Sequence, residues 1–155
     1  MKNVKFLLSA ALVFLASAAL AQDFSAPQYA KWGATPEERE QNILNSNFLK
    51  ESCDNRDYDA AAHYLKGLID KIPDAAESIY QRGAVVYKNK INRAKSVAEK
   101  NMFIDSLMLM YDMRAQYFGD NVKPGKTAFI LDQKAREFLR YKPNDRKGIR
   151  EAYET

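Results

Sequence analysis

Between Asp57 and Gly83 a small residue, a large apolar one, a proline and a glycine follow one another as Ala61, Leu65, Pro73 and Gly83. Ala61, Leu65, Leu68 and Ile72 recur at three and four residues, which puts them on one stripe of a helix from Tyr58 to Lys71. Pro73 lacks an amide hydrogen and clashes with the turn before it, so the helix stops there. A helix with one apolar stripe buries it only against other helices. The pattern therefore predicts an all-α fold of antiparallel helix hairpins, about six helices in all.

The remaining helices follow from their start and stop signals. Thr35-Pro36-Glu37-Glu38 combines a capping hydroxyl, a proline at the first helical position and a Glu three residues after the cap. It predicts a first helix to about Cys53, with Ile43, Leu44, Asn47 and Phe48 as a partly apolar face and Asp54-Asn55-Arg56-Asp57 as the turn. Asp74 and Glu77 repeat the capping arrangement and predict a third helix from about Ala75 to Lys90, with Ile79, Gly83 and Val86 on one face. Gly in mid-helix costs about 1 kcal/mol relative to Ala. That cost makes sense at Gly83 where a neighbouring helix approaches closely. A fourth helix is expected from about Ala94 to Phe118, ended by Gly119-Asp120, a fifth from Thr127 to Tyr141, and a sixth from near Arg146. Residues 22–34 have few helix signals and read as an extended lead-in that Trp32 staples to the domain.

Lys2 and Lys5, the apolar run Phe6 to Leu15 and the small residues of Ala19-Leu20-Ala21 form the pattern of a secretory signal, residues 1–21, cleaved after Ala21. The run is shorter than the roughly 20 residues that span a bilayer, so no transmembrane segment is expected. These features predict an exported protein, periplasmic or secreted. Loss of Lys2 and Lys5 lowers the formal charge from +4 to +2, too small a surplus to imply nucleic acid. Cys53 is the only cysteine, so no internal disulfide forms, and it reads as a buried helix residue.

From about Asn42 to Val86 the chain resembles one tetratricopeptide unit and the first helix of the next, on Ala61, Leu65, Pro73 and Gly83. It departs where the family has Trp, Gly and Tyr and this chain has Asn45, Leu49 and Ser52, and again at Lys95 and Glu99 in the second unit. In Tyr111-Asp112 and Phe118-Gly119-Asp120 it also resembles the N-terminal part of longer exported bacterial proteins of this type. The resemblance implies that residues 35–155 form a tetratricopeptide-like α-solenoid binding a protein or peptide. Whether Thr155 is a natural end or a truncation stays open. In that family the first helix of each pair lines the concave face, which implies Ser46, Lys50, Asp54, Tyr80, Tyr87 and Lys88 as partner-binding residues. Tyr80, Ala84 and Tyr87 share a face distinct from that of Ile79, Gly83 and Val86, and the two tyrosines are the expected anchors.

Other chemistry is weakly signalled. Gly125-Lys126-Thr127 after Gly119 has five residues between the glycines where a phosphate loop has four, and it follows a helix; Pro124-Gly125 reads as a turn with Thr127 as a helix cap. His63 is the only histidine, so neither a metal site nor a nucleophile with its base has the partners it needs. Asp105 and Asp112 are one heptad apart and read as an ion-paired helix face, with Arg114 near Asp112. No catalytic residue, metal ligand or cofactor is expected. Met102, Met108, Met110 and Met113 all lie in the fourth helix, which leaves an alternative open: a carrier or chaperone-like bundle with an apolar groove along them. Lys88, Lys90, Arg93, Lys95 and Lys100 read as a solvated connector, with a surface for an anionic protein, glycan or lipid as the alternative. The sixth helix shows no polar cap, which leaves self-association through it open.

Overall fold

The expected cap at Thr35 forms, and Asp57 and Ser96 cap two further helices. The Thr35 hydroxyl accepts from the Glu38 amide at 3.2 Å, while the Glu38 carboxylate returns to the Ala34 amide at 2.9 Å. Asp57 accepts from the Ala60 amide at 3.1 Å. Ser96 accepts from Glu99 at 3.1 Å, and Glu99 returns to the Lys95 amide at 2.7 Å. In the computed structural model, which describes residues 22–153, these caps open α1 (Pro36–Asp54), α2 (Tyr58–Lys71) and α4 (Val97–Phe118). The helices α3 (Glu77–Arg93), α5 (Lys126–Tyr141) and α6 (Arg146–Glu151) complete an all-α fold; no strand occurs among the described residues. The signal read at residues 1–21 and the terminal Thr155 lie outside the described residues. Among those described, no helix is long and apolar enough to cross a membrane.

Two local expectations give way to tertiary contacts. The capping box of Asp74 and Glu77 does not form, because the residue before α3 is Ala76 and no side chain caps it. Glu77 is instead bound by Arg114 of α4 and Lys126 of α5, at 2.9 and 2.6 Å. The lead-in is not extended throughout: Pro27–Trp32 is a 3-10 helix, with proline at its start supplying the fixed φ that the turn needs. Trp32 packs on the core and its carbonyl accepts from Asn42 Nδ2 at 2.8 Å, so the stapling role holds.

Consecutive helices pack on one another, and α1 also touches α3 across the first hairpin. One core gathers Leu49, Ala61, Leu65, Leu68, Ile79, Val86 and Met110 from α1 to α4. A second joins Ala84 and Ile91 of α3 to Ile104, Leu107, Met108 and Tyr111 of α4 and Ile130 of α5. Gly83 sits where α3 meets α2 and α4. A Cβ there would lie 2.7 Å from Met110 Sδ and 3.2 Å from Leu65 Cδ1, which is the close approach its place in mid-helix implied. At the far turn Thr127 is not the cap of α5; Gly125 is, at φ 79°. Thr127 and Asp120 instead exchange hydrogen bonds of 2.9 Å, each backbone amide donating to the other's side chain.

Candidate functional site

α3 and α5 both lean on α4 without packing on each other, and the space between them is a cleft of about 390 Å³ floored by α4. One helix period explains each wall. Gln81 and Lys88 are seven residues apart on α3, and Gln133, Arg136, Glu137 and Arg140 share one face of α5. The floor carries Tyr111 and Arg114. Arg114 has a side chain only 10% exposed and is held by Glu77 at 2.9 Å and by Gln133 Oε1 at 2.8 Å. A buried guanidinium is tolerable only with such partners. The hydrogen bonds from Lys126 and Arg114 outweigh burial at Glu77 and hold its carboxyl below the usual range.

Further along, Glu137 reaches across from α5. Its Oε1 is 3.3 Å from Lys88 Nζ and its Oε2 3.4 Å from Arg140. Oε2 is buried and has no hydrogen-bond partner among the described residues. Tyr111 beside it is pushed up to about 12, by burial first and by the Glu137 charge second. Arg136 stands on the rim, paired with Asp132 at 2.8 Å and 75% exposed.

The expected partner-binding set does not come together. Tyr80 and Lys88 line this cleft, but Tyr80 is 1% exposed, stacked on Tyr117 and tilted against Phe118 of α4, so its face is a core face and not a free one. The cause is that α3 is packed by α2 on one side and by α4 on the other. Ser46 is likewise buried in α1. Lys50 and Asp54 form an exposed ion pair of 2.7 Å on the same helix, away from the cleft. Tyr87 turns to the opposite side. Arg136, Glu137 and Arg140 carry only the spacing 133, 136, 137 and 140 in α5, which by itself describes any solvated helix face, and Arg114 of α4 carries no signal toward this cleft.

On that opposite side a groove of about 530 Å³ runs between α2 and α4, lined by Ile69, Tyr87, Phe103 and Leu109. Met102, Met110 and Met113 line it too, whereas Met108 does not: it is 8% exposed in the second core. Met102 is 54% exposed and Met110 is buried at the floor. The connector lysines are partly tied down. Lys90 pairs with Asp59 and lies over the Phe103 ring at 5.3 Å, and Arg93 lies over Tyr58 at 5.0 Å.

Asp105 and Asp112 line a third hollow, of about 480 Å³, between α4, α5 and α6. Both are ion-paired, Asp112 with Lys134 at 2.5 Å and Asp105 with Lys142 at 3.7 Å. Arg114 is not the partner of Asp112, because Glu77 holds it. His63 is exposed on α2, edge-on to Tyr64, and Cys53 is half-buried, with burial raising its thiol above the ordinary value. Among the described residues no group of three or more His, Cys, Asp or Glu is placed to hold a metal ion. Compared with protein-family models, with curated proteins and with solved structures, the chain matches none.

Proposed function

We propose that this chain is an exported, tetratricopeptide-like scaffold that holds an extended segment of another protein in the cleft between α3 and α5. The observation that carries the reading is the cleft itself. Two helices kept apart by a third present polar side chains along both walls, two turns apart at Gln81 and Lys88 on α3 and about one turn apart on α5, spacings that an extended chain covers in about two to three residues. Sequential hairpin packing and the contact of α1 with α3 support an array in which the odd-numbered helices share a side. The reading assigns the protein a binding role and no chemistry of its own.

Site-specific photo-crosslinking in producing cells tests it. A photoreactive residue in place of Gln81, exposed on the cleft wall, is expected to give a discrete protein adduct; the same residue in place of exposed Lys66 on α2 is not. Adducts of equal yield at both positions, or at neither, would sink the proposal.

A second reading, a carrier for an apolar ligand, is favoured by one observation: three methionines, Tyr87 and Phe103 line the α2/α4 groove. A fluorescent apolar probe that brightens with the wild type and not with Met102→Gln supports it. A probe that ignores the folded protein removes it.

A further inference from the structure

We infer that the α3/α5 cleft takes an acidic segment of the partner, and that Glu137 is the chain's own stand-in for the partner carboxylate that would displace it. The inference rests on the scaffold reading above. Four cationic side chains line the cleft, Lys88, Arg114, Arg136 and Arg140, against Glu137 as the one carboxylate among its lining residues. Arg114 is committed to Glu77 and Gln133 at 2.8 to 2.9 Å. Lys88 and Arg140 are not held so closely, since their contacts to Glu137 are 3.3 and 3.4 Å. Charge-assisted pairs of full strength run about 2.7 to 2.9 Å.

Glu137 is therefore a poorly satisfied anion. It is 87% buried by its 13% side-chain exposure, and its Oε2 accepts no hydrogen bond, a state that forfeits the solvation water would give. A carboxylate arriving on an extended chain would meet Lys88 and Arg140 in their present places, while Glu137 swings outward and recovers its hydration. Arg136 on the rim is tied to Asp132 at 2.8 Å, so Lys88 and Arg140 are the cations left for the partner carboxylate. A basic partner would meet those same cations head-on, so the cleft discriminates by charge.

The test uses the chain from Gln22 and a fluorescein-labelled hexaglutamate peptide, with a labelled hexaserine peptide as the neutral control, read by fluorescence anisotropy at low salt. Wild type is expected to prefer hexaglutamate, with affinity falling as salt is added. Glu137→Gln removes the resident charge at nearly constant shape and is expected to tighten binding about fivefold, the order of one unit-charge contact at about 4 Å fully screened by water. Lys88→Gln and Arg140→Gln are expected to weaken it by a similar factor. Glu137→Ala is the second variant, so that a fold defect in one does not decide the matter; circular dichroism checks each.

Hexaglutamate binding that weakens in the cation variants but does not tighten in either Glu137 variant would overturn the displacement while leaving an acidic partner. No preference for hexaglutamate over hexaserine would overturn the inference entirely. The scaffold reading itself fails only with the Gln81 crosslink, so the two failures are distinguishable.

Discussion

The hydroxyl of Tyr80 donates to the carbonyl oxygen of Pro73 at 2.7 Å, tying the first turn of α3 to the residue that ends α2. The ring lies in the core against Tyr117 and Phe118, and burial pushes its hydroxyl well above the usual tyrosine range. The side chain thus closes the turn between the hairpins. Tyr80→Phe keeps the ring and loses one hydrogen bond, and is expected to cost about 1 kcal/mol in urea unfolding. Tyr80→Ala empties a core site and should cost about 3 to 5 kcal/mol. Equal losses in the two variants would mean that the ring contributes nothing beyond its hydroxyl.

Gly83 and Met110 are coupled through the space a Cβ would take, 2.7 Å from Sδ. Ala is the better helix former by about 1 kcal/mol, but forcing a buried side chain aside costs about 1 to 3. Gly83→Ala is therefore expected to destabilise modestly, by about 1 kcal/mol. The sharper expectation lies in the double-mutant cycle. Met110→Ala should cost less in the Gly83→Ala background than alone, because the added methyl fills part of the vacated volume. Additive losses would show that the contact carries no strain.

Where sequence reasoning succeeded, the deciding chemistry was local. Thr35 caps its helix with its own side chain, and Pro73 stops another by its own covalent structure. Where it failed, the deciding partner was remote in sequence. Glu77 has the spacing of a capping residue but is claimed by Arg114 and Lys126, 37 and 49 residues away. Tyr80 was misplaced because a helical wheel separates two faces without saying how many are covered, and α3 is covered on both. The cleft was nearly illegible: Lys88 was found through the family resemblance, while Arg136, Glu137 and Arg140 look in sequence like ordinary surface.

The methionines of α4 are one composition class and two structural ones. Met108 and Met110 are 8% and 3% exposed, so truncation to Ala should cost about 2 to 5 kcal/mol. Met102 is 54% exposed, and Met102→Gln should change stability by less than about 0.5 kcal/mol. Chemical denaturation of the three variants checks the division. A loss at Met102 as large as that at Met108 would mean that the groove wall is packed in solution.

Glu77 makes stability depend on acid pH, with a sign that follows from its partners. Burial acts to raise its carboxyl, but hydrogen bonds from Lys126 and Arg114 prevail and hold it below its ordinary value of 4.5. A group lowered on folding contributes stability that is fully present above its unfolded value and is lost as pH falls through the folded one. The network's contribution is thus intact at pH 7 and fades below about pH 4.5. Glu77→Gln should already lack it, unfolding at lower temperature at pH 7 by the equivalent of about 1.5 to 3 kcal/mol, the range for hydrogen bonds to a charged group. Between pH 5 and pH 3 the thermal midpoint of the wild type should fall more steeply, so that the gap between the two proteins narrows. A gap that stays constant across that interval would mean that Glu77 keeps no folded-state preference for its charged form, and that Arg114 is held by packing and Gln133 alone.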